Sequence, residues 1–219
     1  MLLKIPQVLT AEELNTIASS LEAAEFVDGK LTAGWYAKQV KHNQQLSKGT
    51  DRTQKLKKTV ETALDRNLLF QAAVRPKAIH SLLFSRYDPG MSYGRHTDNA
   101  LMGKWRSDVS FTIFLNSPSA YEGGELVIET ADDETGYKLA AGEAIVYPSS
   151  TLHRVDRVNK GTRFVCVGWV QSWVRDLGDR EILFDLETVR RSLFARDGKT
   201  DEFDLLSKSI ANLLRKWSD

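Results

Sequence analysis

Short apolar segments broken by turn residues fill the stretch from 78 to 174, and they restrict the chain to a β architecture. Ile79 and residues 82–84 lead into Asp88-Pro89-Gly90. Residues 108–116 (DVSFTIFLN) set Val109, Phe111, Ile113 and Leu115 against Ser110, Thr112 and Phe114. Gly123-Gly124 precedes 125–128, Gly142-Glu143 precedes 144–147, and Pro148 stops the latter. Residues 162–174 (TRFVCVGWVQSWV) are a long β-branched and aromatic run. Such residues suit a pleated, half-buried surface, while Gly, Pro and Asp supply turns. The spacing predicts an antiparallel sandwich or barrel, with 108–116 central in its sheet.

Helical patterns flank this block. Thr10 and Glu13 form a capping box, and Leu14, Ile17, Ala18 and Leu21 recur at helical spacing, so a helix is expected over 11–24. Residues 52–67 predict a second, with Leu56, Val60 and Leu64 on one stripe and Lys55, Lys57 and Lys58 on a solvated face. Residues 30–47 read as a strand or ordered loop. Beyond Asp176, the stripes Ile182, Leu186, Val189, Leu193 and Leu206, Ile210, Leu213, Trp217 flank the turn Asp197-Gly198-Lys199, predicting a helical hairpin. The expected organisation is one domain over 1–177, with its core at about 78–175, and a helical extension over 178–219.

Composition excludes several function classes. With 42% hydrophobic and 27% charged residues, the chain can build a core. Thirty Lys+Arg against 29 Asp+Glu leave a formal charge of +1, without the basic footprint of a nucleic-acid binder. The single cysteine, Cys166, excludes an internal disulfide and reads as a buried small hydrophobe. No apolar run approaches a membrane span, and MLLKIPQVLT lacks the cleavage site of a signal peptide. A cytoplasmic protein without membrane or nucleic-acid partners is expected.

The four histidines are His42, His80, His96 and His153. His96 and Asp98 stand two apart, so on a strand both would face one cavity. His153 is the best third member. Two imidazoles and one carboxylate on one face of a metal form the facial triad of non-haem Fe(II) oxygenases. Arg163 follows ten residues after His153, with Asn159-Lys160-Gly161 read as a hairpin turn between them. It shares a strand face with Val165, Val167 and Trp169, and a guanidinium facing an apolar interior needs an anion. The bland readings stand beside these. Asp98 could form a turn with Asn99, and Arg163 could pair with Asp156. His80 reads as structural, His42 as a loop hydrogen-bonder, and Trp169 as core. Arg95 and Arg106 flank the expected entrance.

Several segments together carry a resemblance: Arg86-Tyr-Asp-Pro-Gly-Met-Ser-Tyr-Gly-Arg-His-Thr-Asp98, Phe114-Leu-Asn116, Glu122-Gly-Gly-Glu-Leu126, and His153 followed by Arg163. They resemble the Fe(II)/2-oxoglutarate dioxygenases of the prolyl-hydroxylase type. More narrowly, Val40-Lys-His-Asn-Gln-Gln-Leu46, Tyr147-Pro-Ser-Ser-Thr-Leu-His-Arg-Val155 and Arg180-Glu-Ile-Leu-Phe-Asp-Leu resemble bacterial PKHD-type hydroxylases, nearly end to end.

The resemblance implies a mainly β fold with flanking helices, namely a double-stranded β-helix (jelly-roll, cupin-like) core followed by the helical hairpin. It implies His96, Asp98 and His153 as iron ligands. Arg163 matches the residue that holds the distal carboxylate of 2-oxoglutarate, and Tyr87 falls at the cosubstrate-pocket tyrosine. Fe(II), 2-oxoglutarate, O2 and L-ascorbate as reductant are the implied cofactors. The implied reaction is hydroxylation of an unidentified substrate with conversion of 2-oxoglutarate to succinate and CO2. The substrate is expected to be a peptidyl side chain or a siderophore-related small molecule, linked to iron homeostasis. A homo-oligomer is expected. The alternatives are a non-catalytic metal-binding or sensor module on this fold, or a zinc hydrolase, and the latter gives Arg163 no role.

Overall fold

The computed structural model describes all 219 residues. The first part of the chain holds β1 (Leu3–Ile5), α1 (Ala11–Glu22), β2 (Phe26–Asp28), β3 (Lys41–His42), β4 (Gln44–Leu46), α2 (Asp51–Arg66) and α3 (Leu68–Val74). Strands build the middle. They are β5 (Pro76–Tyr87), β6 (Ser92–His96), β7 (Leu101–Met102), β8 (Trp105–Arg106), β9 (Val109–Phe114) and β10 (Tyr121–Gly123). β11 (Leu126–Glu129), β12 (Glu134–Tyr137), β13 (Ala144–Pro148), β14 (His153–Val155), β15 (Val158–Gly161) and β16 (Arg163–Ser172) follow. The chain closes with α4 (Leu177–Asp197) and α5 (Asp201–Trp217).

Two antiparallel sheets make a double-stranded β-helix. The larger has the order β1-β13-β9-β16-β5-β4-β2, the smaller β12-β11-β14-β6-β3. The expected capping box at Thr10 is present, and it starts α1. Leu56, Val60 and Leu64 point inward from α2 as the sequence predicts. With Ile17, Leu21 and Phe70 they cover the outer face of the large sheet, meeting Leu82, Phe84, Phe111, Ile113 and Cys166. The inner face carries Tyr87, Phe114, Tyr147 and Val165, packed against Leu126, Ile128 and Val155 of the small sheet.

β9 shows how the sequence sets these layers. It lies between β13 and β16, and all six of its residues are buried. Val109, Phe111 and Ile113 turn outward to the helices, while Phe114 turns inward. Ser110 and Thr112 share the inward face because side chains alternate along a strand. Buried hydroxyls on a central strand need partners, and they lie where the two sheets enclose a cavity.

β5 carries a bulge opposite Gly168 of β16, with Leu82 and Ser81 facing that one residue and Ser81 at a left-handed φ of 58°. A Cβ added at Gly168 would sit 2.5 Å from Phe111 Cζ and 2.7 Å from Leu82 Cδ2, both in the core. Gly168→Ala is therefore expected to destabilise the protein by about 1–3 kcal/mol through overpacking, read as a lower urea midpoint at unchanged slope.

Three expectations need correction. Asn159-Lys160-Gly161 is not a hairpin turn; it lies in β15, which pairs with β10. Gly161, at φ 72°, lets the backbone pass Ala120, whose carbonyl oxygen would lie 2.2 Å from a Cβ. His153 and Arg163 thus stand on facing sheets rather than adjacent strands. Asp98 lies just beyond β6 rather than on it. In α4, Ile182 and Val189 are exposed, and Leu183 with Arg180 and Glu187 faces inward. Arg180 can be buried there because its Nη1 donates to the carbonyls of Val174 and Arg175. The rest of the hairpin follows its predicted stripe: Ile210, Leu206, Leu213 and Trp217 pack with Val174 and Leu183. No helix is long and apolar enough to cross a membrane.

Candidate active site

His96 ends β6 and His153 begins β14, and the two are direct cross-strand partners in the small sheet. That register brings their ring centroids to 4.3 Å although the residues lie 57 positions apart. Asp98 reaches the same point from the loop after β6. Its backbone N–H donates to Ser149 O at 3.3 Å. Its carboxylate accepts from Ser110 Oγ at 2.6 Å, and Ser110 in turn lies 2.8 Å from Ser149 Oγ. The aim of Asp98 is therefore set by β9, on the opposite sheet.

One potential ligand atom from each of His96, Asp98 and His153 lies within 4.8 Å of the others. Each histidine places Nδ1 against a carbonyl, Gly94 O at 2.7 Å and Thr151 O at 3.0 Å. A carbonyl can only accept, so Nδ1 carries the proton and Nε2 faces the cavity. Burial, and then the adjacent His153, pull the His96 imidazole down to about 4, leaving its Nε2 lone pair free at neutral pH. Tyr93 stacks on His96 at 3.7 Å, and Tyr147 meets His153 edge-on at 5.1 Å. Both rings limit imidazole rotation. Two imidazoles and a carboxylate on one side of a cavity suit a divalent iron that keeps further positions open.

Arg163 is 1% exposed, and its Nε and Nη1 have no hydrogen-bond partner. The structural alternative of an Asp156 pair is not realised, since Asp156 accepts from Arg154 at 2.8 Å. Instead the guanidinium lies 5.0 Å from the Tyr87 ring, its cross-strand partner, and 5.6 Å from Phe114. The Tyr121 hydroxyl is likewise buried without a partner. Burial raises the phenol pKa of Tyr87 and Tyr121, so both remain hydrogen-bond donors. A buried cation without a counter-ion is costly, and the arrangement is resolved by an anion. Arg163, Tyr87 and the His96–Asp98–His153 cluster all line one cavity of about 620 Å³.

A model of the 2OG-Fe(II) oxygenase superfamily matches residues 82–171. A prolyl-4-hydroxylase from Pseudomonas putida aligns at a TM-score of 0.54 with 21% identity, covering 78% of this chain and 92% of that one. A PKHD-type hydroxylase of Picosynechococcus sp. is 69% identical over 219 residues, and one of Gloeothece citriformis is 66% identical over 221, each spanning the whole of both chains. The chain belongs to the PKHD-type hydroxylases. It is a 2-oxoglutarate-dependent dioxygenase, as its family, fold and relatives agree.

Other residues singled out in the sequence of this PKHD-type hydroxylase fall elsewhere. His80 is structural, with Nε2 3.2 Å from Arg106 O and Nδ1 3.2 Å from Ser81 Oγ. His42 is exposed on β3. Arg95 is engaged by Glu129 and Arg106 by Asp108. Trp169, expected in the core, lines the cavity instead, because it shares the inward face of β16 with Arg163, Val165 and Val167. Sequence reasoning missed Ser110, Ser149 and Tyr121. Only Ser110 left a signal, as a hydroxyl in a strand apolar enough to be buried on both faces.

Proposed function

We propose that His96, Asp98 and His153 hold Fe(II) and that Arg163, over the Tyr87 ring, takes the distal carboxylate of 2-oxoglutarate. The observation that carries this reading is the uncompensated Arg163 guanidinium facing the cavity that the three ligand side chains also face. When bound, iron with 2-oxoglutarate and O2 supplies the oxidising power for hydroxylating a substrate C–H bond, with succinate and CO2 as coproducts. The chain's own residues do the rest. Gly94 O and Thr151 O hold the Nδ1 protons, so both Nε2 atoms stay directed inward. Ser110 fixes Asp98. Leu83, Leu126, Val155 and Val167 line the site with apolar surface, which excludes water. L-Ascorbate serves as reductant, and the cytoplasm is the site of action.

The test is an anaerobic titration of the apo-protein with Fe(II) and then 2-oxoglutarate, following the visible metal-to-ligand charge-transfer band. A saturable band supports the reading. Its absence in folded, iron-loaded protein overturns it. A finer expectation concerns Ser110→Ala, which leaves Asp98 in place but unaimed. Fe(II) affinity measured by calorimetry is expected to fall about 10–100-fold, the usual effect of losing a hydrogen bond that orients a ligand.

A further inference from the structure

The stretch Lys41-His-Asn43-Gln-Gln45 is not used by the metal or cosubstrate groups, yet it is the most unusual polar segment in the molecule. Lys41, Asn43 and Gln45 alternate with the strand period and are 5%, 3% and 2% exposed. All three line the cavity that holds the His96–Asp98–His153 cluster. The segment crosses between the sheets at this point. Lys41 pairs with Tyr93 of the small sheet, and Gln45 with Ser85 of the large one. It therefore closes one side of the sandwich with polar side chains where apolar ones would be expected.

Their hydrogen-bonding capacity is largely unspent. The Lys41 ammonium donates only to Thr32 Oγ1 at 3.1 Å and lies 5.0 Å from the Tyr93 ring. The fields of Asp98 and Asp28 reach it, but neither carboxylate is within ion-pair distance, and Asp98 is committed to the iron proposed above. Burial lowers the ammonium to about 8, which leaves it mostly charged at neutral pH. Gln45 uses its Oε1 to accept from Thr32 at 2.5 Å, leaving its NH2 to donate. Asn43 Oδ1 is closed off against the Gly29 backbone, where an added Cβ would lie 1.8 Å from it, so Lys41 and Gln45 are the groups left to receive a ligand. Lys48 and Lys57 add further cations, and Asp98 is the sole carboxylate in the whole lining. The stack Lys41–Tyr93–His96 puts this group two rings away from the metal position. Arg163, the cation proposed for 2-oxoglutarate, lies across from Tyr87 on the other sheet.

We propose that Lys41 and Gln45 form the recognition subsite for the substrate to be hydroxylated, and that this substrate is an anion whose carboxylate is bound by the Lys41 ammonium and the Gln45 amide. This rests on the iron and 2-oxoglutarate assignment above and adds the substrate class to it. An anionic head held there places the adjoining carbon skeleton over Tyr93, towards the metal. A buried ammonium held by one hydroxyl is costly without a ligand, and a carboxylate repays that cost when it binds.

The test uses the full-length protein loaded anaerobically with Fe(II) and 2-oxoglutarate. Metabolites and tryptic peptides from a cyanobacterial lysate are separated at neutral pH into a pool retained by an anion exchanger and a pool that is not. Each is titrated against the charge-transfer band. The retained pool is expected to perturb the wild-type band. Lys41→Met is expected to form the band but to need about tenfold more of the pool for the same change, and Lys41→Arg to restore the response. Perturbation by the unretained pool alone, an equal response in Lys41→Met, or no response to either pool overturns the proposal. A wild type that never forms the band sinks the parent assignment instead, and this inference with it.

Discussion

Arg163→Met is expected to cost the protein its affinity for 2-oxoglutarate without costing it stability. The side chain is fully buried, and neither Nε nor Nη1 is hydrogen-bonded. Losing a buried, hydrogen-bonded charge partner costs about 2–5 kcal/mol, roughly 30-fold to several thousandfold in the 2-oxoglutarate dissociation constant. In the ligand-free protein the sign reverses. Methionine removes a desolvated charge from between Tyr87 and Phe114 and fills similar volume, so Tm should equal or exceed that of wild type. Two measurements separate the readings: the cosubstrate dissociation constant from the charge-transfer band, and thermal unfolding of the apo-protein. Unchanged 2-oxoglutarate affinity together with a lowered Tm would make Arg163 a structural residue and remove the central support for the proposed site.

The second large effect is expected at Asp98. Asp98→Ala removes the only carboxylate among the cavity-lining residues, leaving His96 and His153 as a two-nitrogen site. A bound metal supplies several kcal/mol of charge stabilisation, so turnover should fall at least about a thousandfold. Fe(II) binding by calorimetry should be lost in parallel. The fold should survive, because Ser110 and Ser149 remain bonded to one another across β9 and the end of β13. Folded Asp98→Ala that still binds Fe(II) as wild type does would exclude Asp98 as a ligand. If turnover falls while metal binding persists, Asp98 acts on the substrate rather than on the ion.

Different parts of the molecule were legible to different degrees. Strand segments and their faces were readable wherever the pattern is local, as in β9 with its outward Val109, Phe111 and Ile113. The capped start of α1 and the inward stripe of α2 were equally plain. In α4 the apolar stripe misled. Arg180 and Glu187 satisfy their charges locally, so they occupy inward positions that hydrophobicity alone assigns to Ile182 and Val189. At the site, the side chains picked out from the sequence do converge on one cavity, but by a route the sequence did not suggest. The hairpin expected between His153 and Arg163 does not exist. Ser110 and Ser149, which aim Asp98, come from other strands or their ends, 12 and 51 residues further along the chain, whereas Tyr93 and Tyr147 stack on histidines close to them in sequence.

By itself the sequence determined an antiparallel β architecture and its flanking helices, while its resemblance to the prolyl-hydroxylase-type dioxygenases implied the double-stranded β-helix and the groups for iron and a dicarboxylate. The strands and helices follow from periods of two and 3.6 residues, which act over a few neighbours. Only the tertiary structure decided that His96 faces His153 across a ladder, that Ser110 reaches Asp98 from the opposite sheet, that Arg163 is left without a counter-ion, and that Lys41, Asn43 and Gln45 turn into the same cavity. Strand register and the facing of two sheets depend on contacts between distant segments, and no local pattern encodes which segments will meet.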